Sequence, residues 1–148
     1  VVRGFLLLLH LNLGRWSGPE LMDLLEIPAL RRAFTNEERD LAVIQQVLTE
    51  AGVRWGLDQE QRREHGADPS GDYSWEYGIS RLLMGLLTGP LDHPLLGVLP
   101  CRTESEDWLG GLAELILRLQ RLRPRMERDH TPEGWQRLLS GMIRDFFQ

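Results

Sequence analysis

The stretch "LGGLAELILRLQRLRPRMERD", residues 109–129, decides the fold class. Leu109, Leu112, Ile116, Leu119, Leu122 and Met126 recur at steps of three and four, the period of one helix face. Arg118, Arg121, Arg125 and Arg128 repeat with the same period on a second face. Pro124 interrupts both stripes, since its ring removes a backbone donor and clashes with the carbonyl of Gln120. A kink or stop near Arg123 is therefore expected.

Helix signals continue on both sides. Thr131, Pro132 and Glu133 start a final helix carrying Trp135, Leu138, Leu139, Met142, Ile143 and Phe146. Upstream, Ser74 opens a helix with Trp75, Ile79, Leu82, Leu83, Leu86 and Leu87 on a broad side, and Gly78 and Gly85 predict close approach by another backbone. Residues 89–101, with three prolines and two glycines, read as an irregular crossing segment. Residues 4–13 are almost wholly apolar, which fits a helix buried on most sides. Ser17 to Glu20 spell a capping box for a short helix that Pro28 breaks near Glu26. Thr35 with Glu38 spell another for a helix ending at Ala51, after which Gly52 can take the left-handed conformation. Between Asp58 and Asp72 no apolar stripe exists, so one or two solvated turns capped by Asp58 are expected. No strand pattern or repeat is present. The fold class is all-α, about six helices in an irregular single domain over residues 1–148.

Composition excludes several functions. All seventeen basic residues are arginine, so the lysine of a phosphate-binding loop and any Schiff-base lysine are missing. The four histidines lie 55, 28 and 37 residues apart, never at the spacing that pairs two metal ligands on a helix. Cys101 cannot form an internal disulfide, which suits a reducing cytoplasm, and reads as a small apolar filler rather than a nucleophile. Carboxylate pairs such as Glu104 with Asp107 and Glu37 with Asp40 sit in first turns, where the helix dipole favours them. The apolar run from Phe5 to Leu9 is too short to cross a membrane, which takes about 20 residues. No catalytic residue, cofactor or metal is expected.

Two surfaces remain as candidates. Arg118, Arg121, Arg125 and Arg128, with Arg123, can contact phosphate. The competing reading, favoured by the net charge of −5, is a solvated face paired with Glu114, Glu127 and Asp129. The second is "VRWGLD", residues 53–58, where Arg54 and Trp55 stand in a connector. Trp55 is expected to plug the gap between the helix ending at Ala51 and the one starting at Ser74, with a partner contact as the rival account. Arg54 is expected to pair with a carboxylate or with helix-terminal carbonyls.

"LMDLLEIPALRRAF" (21–34), "VRWGLD" (53–58), "WEYGISRLLMG" (75–85), "GVLP" (97–100) and "IRDFF" (143–147) together resemble consecutive landmarks of the exodeoxyribonuclease V gamma chain (RecC) family. The resemblance covers nearly the whole chain in the right order. It implies a noncatalytic helical subdomain, similar to an insertion in a superfamily 1 helicase-like region that lacks its ATPase motifs. It further implies RecB-like and RecD-like partner subunits, DNA in the full assembly, a role in double-strand-break resection, and a cytoplasmic location. Arg54, Trp55, Asp58, Trp75, Tyr77 and Gly78 fall in the landmarks, as structural positions or partner contacts. The chain departs from the family's pattern at Glu76, where a basic residue is common, and at Cys101, where a tyrosine is usual. Both departures argue against this face gripping DNA. The Val-Val start and the apolar pattern still running at Phe146 and Phe147 fit an internal piece of a longer chain, with exposed apolar surface near both ends and a monomer or weak dimer in isolation. The alternative is a helical protein-interaction domain with no DNA role.

Overall fold

The computed structural model describes residues 2–35, 41–67, 72–102 and 108–147. Among these residues it is all-helical: α1 Val2–Leu13, α2 Gly18–Leu25, α3 Pro28–Phe34, α4 Leu41–Glu50, α5 Gln59–Glu64, α6 Trp75–Thr88, α7 Leu109–Met126 and α8 Pro132–Phe147. The described helices number eight rather than about six. The difference lies in α3, which Pro28 starts afresh, and in the six-residue α5. The capping pair of Thr35 with Glu38, and the acidic pairs 37 with 40 and 104 with 107, lie outside the described residues. Thr35 itself closes α3, its Oγ1 donating to the Arg31 carbonyl at 3.0 Å.

Local chemistry sets most boundaries. The Glu20 carboxylate accepts from the backbone nitrogen and Oγ of Ser17, both at 2.8 Å, fixing the start of α2. Asp58 and Ser74 accept from the backbone nitrogens of Gln61 and Tyr77 at 2.9 and 3.1 Å, starting α5 and α6. At the end of α4, Gly52 has φ 89°, Val53 N donates to Leu48 O at 2.9 Å and Gly52 N to Thr49 O at 3.0 Å. This is a Schellman closure, and the left-handed residue is what permits it. Pro124, by contrast, does not stop α7, which runs on to Met126. The proline sits in the last turn, where a single backbone donor is lost and little helix remains to be redirected.

Helix α7 lies at the centre, packed on α3, α6 and α8, while α3 also touches α8 and α2 links α1, α3 and α4. Its leucine and isoleucine face is buried, as are Trp16, Trp75, Trp108 and Phe146. Phe146 packs on Phe34 with ring centroids 6.1 Å apart, so the expected exposure at the C-terminal end is limited. At the N-terminal end the expected apolar exposure is found, with Val2 and Leu6, four apart on α1, exposed while Leu8 and Leu11 are buried, so α1 is buried on one side and not on most sides. Close approach governs one contact between α6 and the segment after it and one crossing of α7 with α3. A Cβ at Gly85 would stand 1.8 Å from the Cys101 carbonyl, and one at Gly111 would stand 1.9 Å from the Phe34 carbonyl. Only hydrogen at these positions lets the backbones meet. No helix among the described residues is long and apolar enough to cross a membrane.

Candidate nucleic-acid interface

Residues 53–58 form a hydrogen-bonded crossroads. Gly18 N donates to Arg54 O at 3.2 Å, Gly56 N to Arg15 O at 2.9 Å, and Arg54 N to Tyr73 O at 2.9 Å. In return, Trp75 N and Glu76 N donate to Gly56 O and Leu57 O, both at 2.9 Å. The connector thus holds the α1–α2 turn and the start of α6 together. Its backbone groups lie outside any helix, and those of the buried Gly56 and Leu57 need these partners.

The side chains divide the work differently from the sequence expectation. Trp55 is half-buried, with the Arg62 guanidinium 4.4 Å and the Arg15 guanidinium 5.9 Å from its ring centre and His65 edge-on at 6.2 Å. The interior plug is Trp75, 1% exposed, whose indole N–H donates to Trp16 O at 2.8 Å. A connector aromatic flanked by long cations keeps one edge near water, whereas Trp75 points inward from the first turn of α6. Arg54 stacks on the Tyr73 ring at 4.4 Å instead of closing a helix end. That task falls to Arg81, donating to Ala51 O at 2.7 Å and Leu99 O at 2.9 Å.

Two further side chains escaped sequence reasoning because they lie in a segment without an apolar stripe. Gln61 is buried, accepting from Leu57 N at 2.8 Å and donating to Gly14 O at 3.3 Å. Arg62, also buried, donates to Trp55 O at 3.1 Å. Helix α5 is therefore solvated on one side only. Tyr77 is half-buried, and Gly78 faces Val53, whose Cγ2 lies 2.2 Å from where a Cβ would be. The Glu76 carboxyl is raised above its ordinary value, first by the water it loses on partial burial and second by the charge of Asp58.

The arginines of α7 separate into two sets. Arg118 donates to the Glu114 carboxylate at 2.7 Å and to Asp145 O, and lies 5.2 Å over the Phe34 ring, tying α7 to α8 and α3. Arg123 pairs with Glu127 at 2.9 Å and with Glu64, tying α7 to α5. Arg121, Arg125 and Arg128 are exposed, and among the described residues their guanidinium groups have no carboxylate within ion-pair distance. The expected pairing of the whole face with Glu114, Glu127 and Asp129 thus holds for two arginines and not for the other three. Among the described residues no three His, Cys, Asp or Glu side chains gather around a point that could hold a metal ion.

Against this geometry, comparison with known proteins is informative. The chain matches the family model "RecBCD enzyme subunit RecC fourth domain" over residues 1–148. It is similar to the RecBCD enzyme subunit RecC of Escherichia coli (strain K12), 29% identical over 99% of the chain and 13% of that protein. The Haemophilus influenzae subunit is 27% identical over the same shares, and the Mycolicibacterium smegmatis subunit 31% identical over 92% of the chain and 13% of its own length. The chain therefore spans about 13% of the length of these relatives.

Proposed function

Because the chain belongs to the RecC fourth-domain family, we propose that it is a noncatalytic structural and DNA-path module of a RecC-like subunit, working in a cytoplasmic helicase and nuclease complex that resects double-strand breaks. Its partners in this reading are RecB-like and RecD-like subunits and the DNA being processed. The family match over every residue carries the proposal. Arg121, Arg125 and Arg128, which have no carboxylate partner among the described residues, support the DNA part, since phosphate contact needs cations not already neutralised within the protein. The lack of any lysine supports a role without ATP hydrolysis.

The test is a RecC-like subunit carrying Arg121→Glu and Arg125→Glu, purified with its partner subunits. Assembly is expected to persist, because both side chains are exposed, while DNA affinity falls and its salt dependence flattens. Unchanged DNA affinity in an intact assembly would instead favour a helical protein-interaction domain with no DNA role.

A further inference from the structure

Resting on that reading, we propose that a nucleic-acid strand leaves α7 at its C-terminal corner and crosses onto α8, its phosphates held by Arg125 and Arg128 on one side and by Arg137 and Arg144 on the other. Sequence periodicity along α7 does not reveal this path, because half of the cations come from the next helix.

An open hollow of about 290 Å³ lies at the corner, lined by Arg125, Arg128, His130, Gly134, Arg137 and Leu138. Three guanidinium groups around one hollow repel each other unless an anion joins them. Among the described residues none of the three has a carboxylate at ion-pair distance, although Glu133 stands one turn before Arg137, and Asp129 one turn after Arg125 in sequence. On the same helix α7, Arg118 and Arg123 are paired with carboxylates, so among the described residues its arginines without a carboxylate partner are Arg121 and, at the C-terminal end, Arg125 and Arg128. His130 is fixed as a wall of the hollow: its Nε2–H donates to the Arg125 carbonyl at 2.6 Å and its ring meets Trp135 edge-on at 5.0 Å. The ends of α7 and α8 meet here with opposing dipoles, which cancel in large part, so the arginines set the sign of the local field.

The positive track continues. Arg137 also lines a second hollow with Gln136, Ser140, Ile143 and Arg144. Arg137 and Arg144 lie seven residues apart, two helical turns, so they share a face at a separation of about 10 Å. Cations repeated along a line suit a polymer of phosphates better than a single phosphate group. Among the described residues no unengaged aromatic ring borders the first hollow, which fits contact with the backbone of the strand and not with its bases.

The experiment is a salt titration of this chain with a fluorescent single-stranded oligonucleotide of mixed sequence. Four phosphate contacts predict a log–log slope of about −2.8, and Arg137→Gln with Arg144→Gln should reduce its magnitude by about 1.4. Lysine at both positions should restore most of the slope, since charge and not fork geometry is needed. An unchanged slope in the double glutamine variant overturns the crossing. If that variant is unaffected but Arg121→Gln with Arg125→Gln lowers the slope, the α8 track fails and the α7 path of the proposed function stands. Absence of salt-dependent binding by the unaltered chain overturns the crossing as well. So does binding to phosphatidylglycerol vesicles, but not to the oligonucleotide, that Arg137→Gln and Arg144→Gln abolish.

Discussion

The indole N–H of Trp75 donates to the main-chain carbonyl of Trp16 at 2.8 Å, joining two fully buried tryptophans across 59 positions of the chain. Trp16 has φ 57°, a left-handed conformation uncommon for a bulky side chain, and the bond from Trp75 helps hold it there. Trp75→Phe is expected to lower stability by about 1 kcal/mol, because the Trp16 carbonyl loses the shorter of its two donors and keeps the Gly56 N–H at 3.2 Å. Trp75→Ala should cost about 3 to 5 kcal/mol, and Trp55→Ala about 1 kcal/mol, the scale of a partly exposed cation–π contact. Urea unfolding monitored by circular dichroism ranks the three, and equal losses for the two alanine variants would refute the assignment of Trp75 as the interior plug.

Arg81 joins the end of α4 to the 89–101 segment by donating to the carbonyls of Ala51 and Leu99. Arg81→Ala should destabilise the fold by about 2 kcal/mol or more, because two carbonyls lose a charged donor. Arg81→Lys should recover only part of this, since one ammonium cannot reproduce the divergent reach of a guanidinium. Unfolding midpoints of the two variants check the order.

The glycines give a sharp internal contrast. Alanine at Gly85 or Gly111 would drive its Cβ to within 2 Å of the carbonyl oxygen of Cys101 or of Phe34, so the backbones that meet there must move apart. A loss of about 3 kcal/mol or more is expected for each, at or beyond the upper range of ordinary overpacking. Gly110→Ala meets open space and should be neutral or slightly stabilising. Thermal melts of the three single variants would show one unaffected protein and two strongly weakened ones.

Glu76 supplies a pH test. Its carboxyl is raised in the fold, so the folded protein disfavours the ionised form relative to the unfolded chain. That penalty is complete above the folded pKa and fades as pH falls through it towards the ordinary glutamate range. Glu76→Gln should therefore be more stable than the unaltered chain near neutral pH, with the difference vanishing in acid. The first-turn position of Glu76 on α6 favours the ionised form through the helix dipole, opposite in sign to the lost water and the Asp58 charge. A higher urea midpoint for the variant at pH 4 than at pH 7, relative to the unaltered chain, would contradict this sign.

Helix type, most caps and the closure after Ala51 were legible in the sequence because they depend on residues within a few positions of each other. Ser17 with Glu20, Asp58 with Gln61 and Gly52 after α4 all act over a single turn. Gly85 could be read as a close approach for a related reason, since an isolated glycine on an apolar helix face has few other uses. The partner at that approach, Cys101, was not legible, nor was the exchange of roles between Trp55 and Trp75. An indole in a connector and one in a first turn look alike until the chain brings Arg15 and Arg62 over the first and Trp16 O beneath the second. The arginines show the same division. Periodicity placed Arg118, Arg121, Arg125 and Arg128 on one stripe and Glu114 one turn from Arg118, yet only tertiary packing brings the end of α8 to Arg118 and leaves Arg125 and Arg128 beside Arg137. Charge is a property of the residue, but whether a charge is available depends on which other charges folding puts within a few ångströms of it.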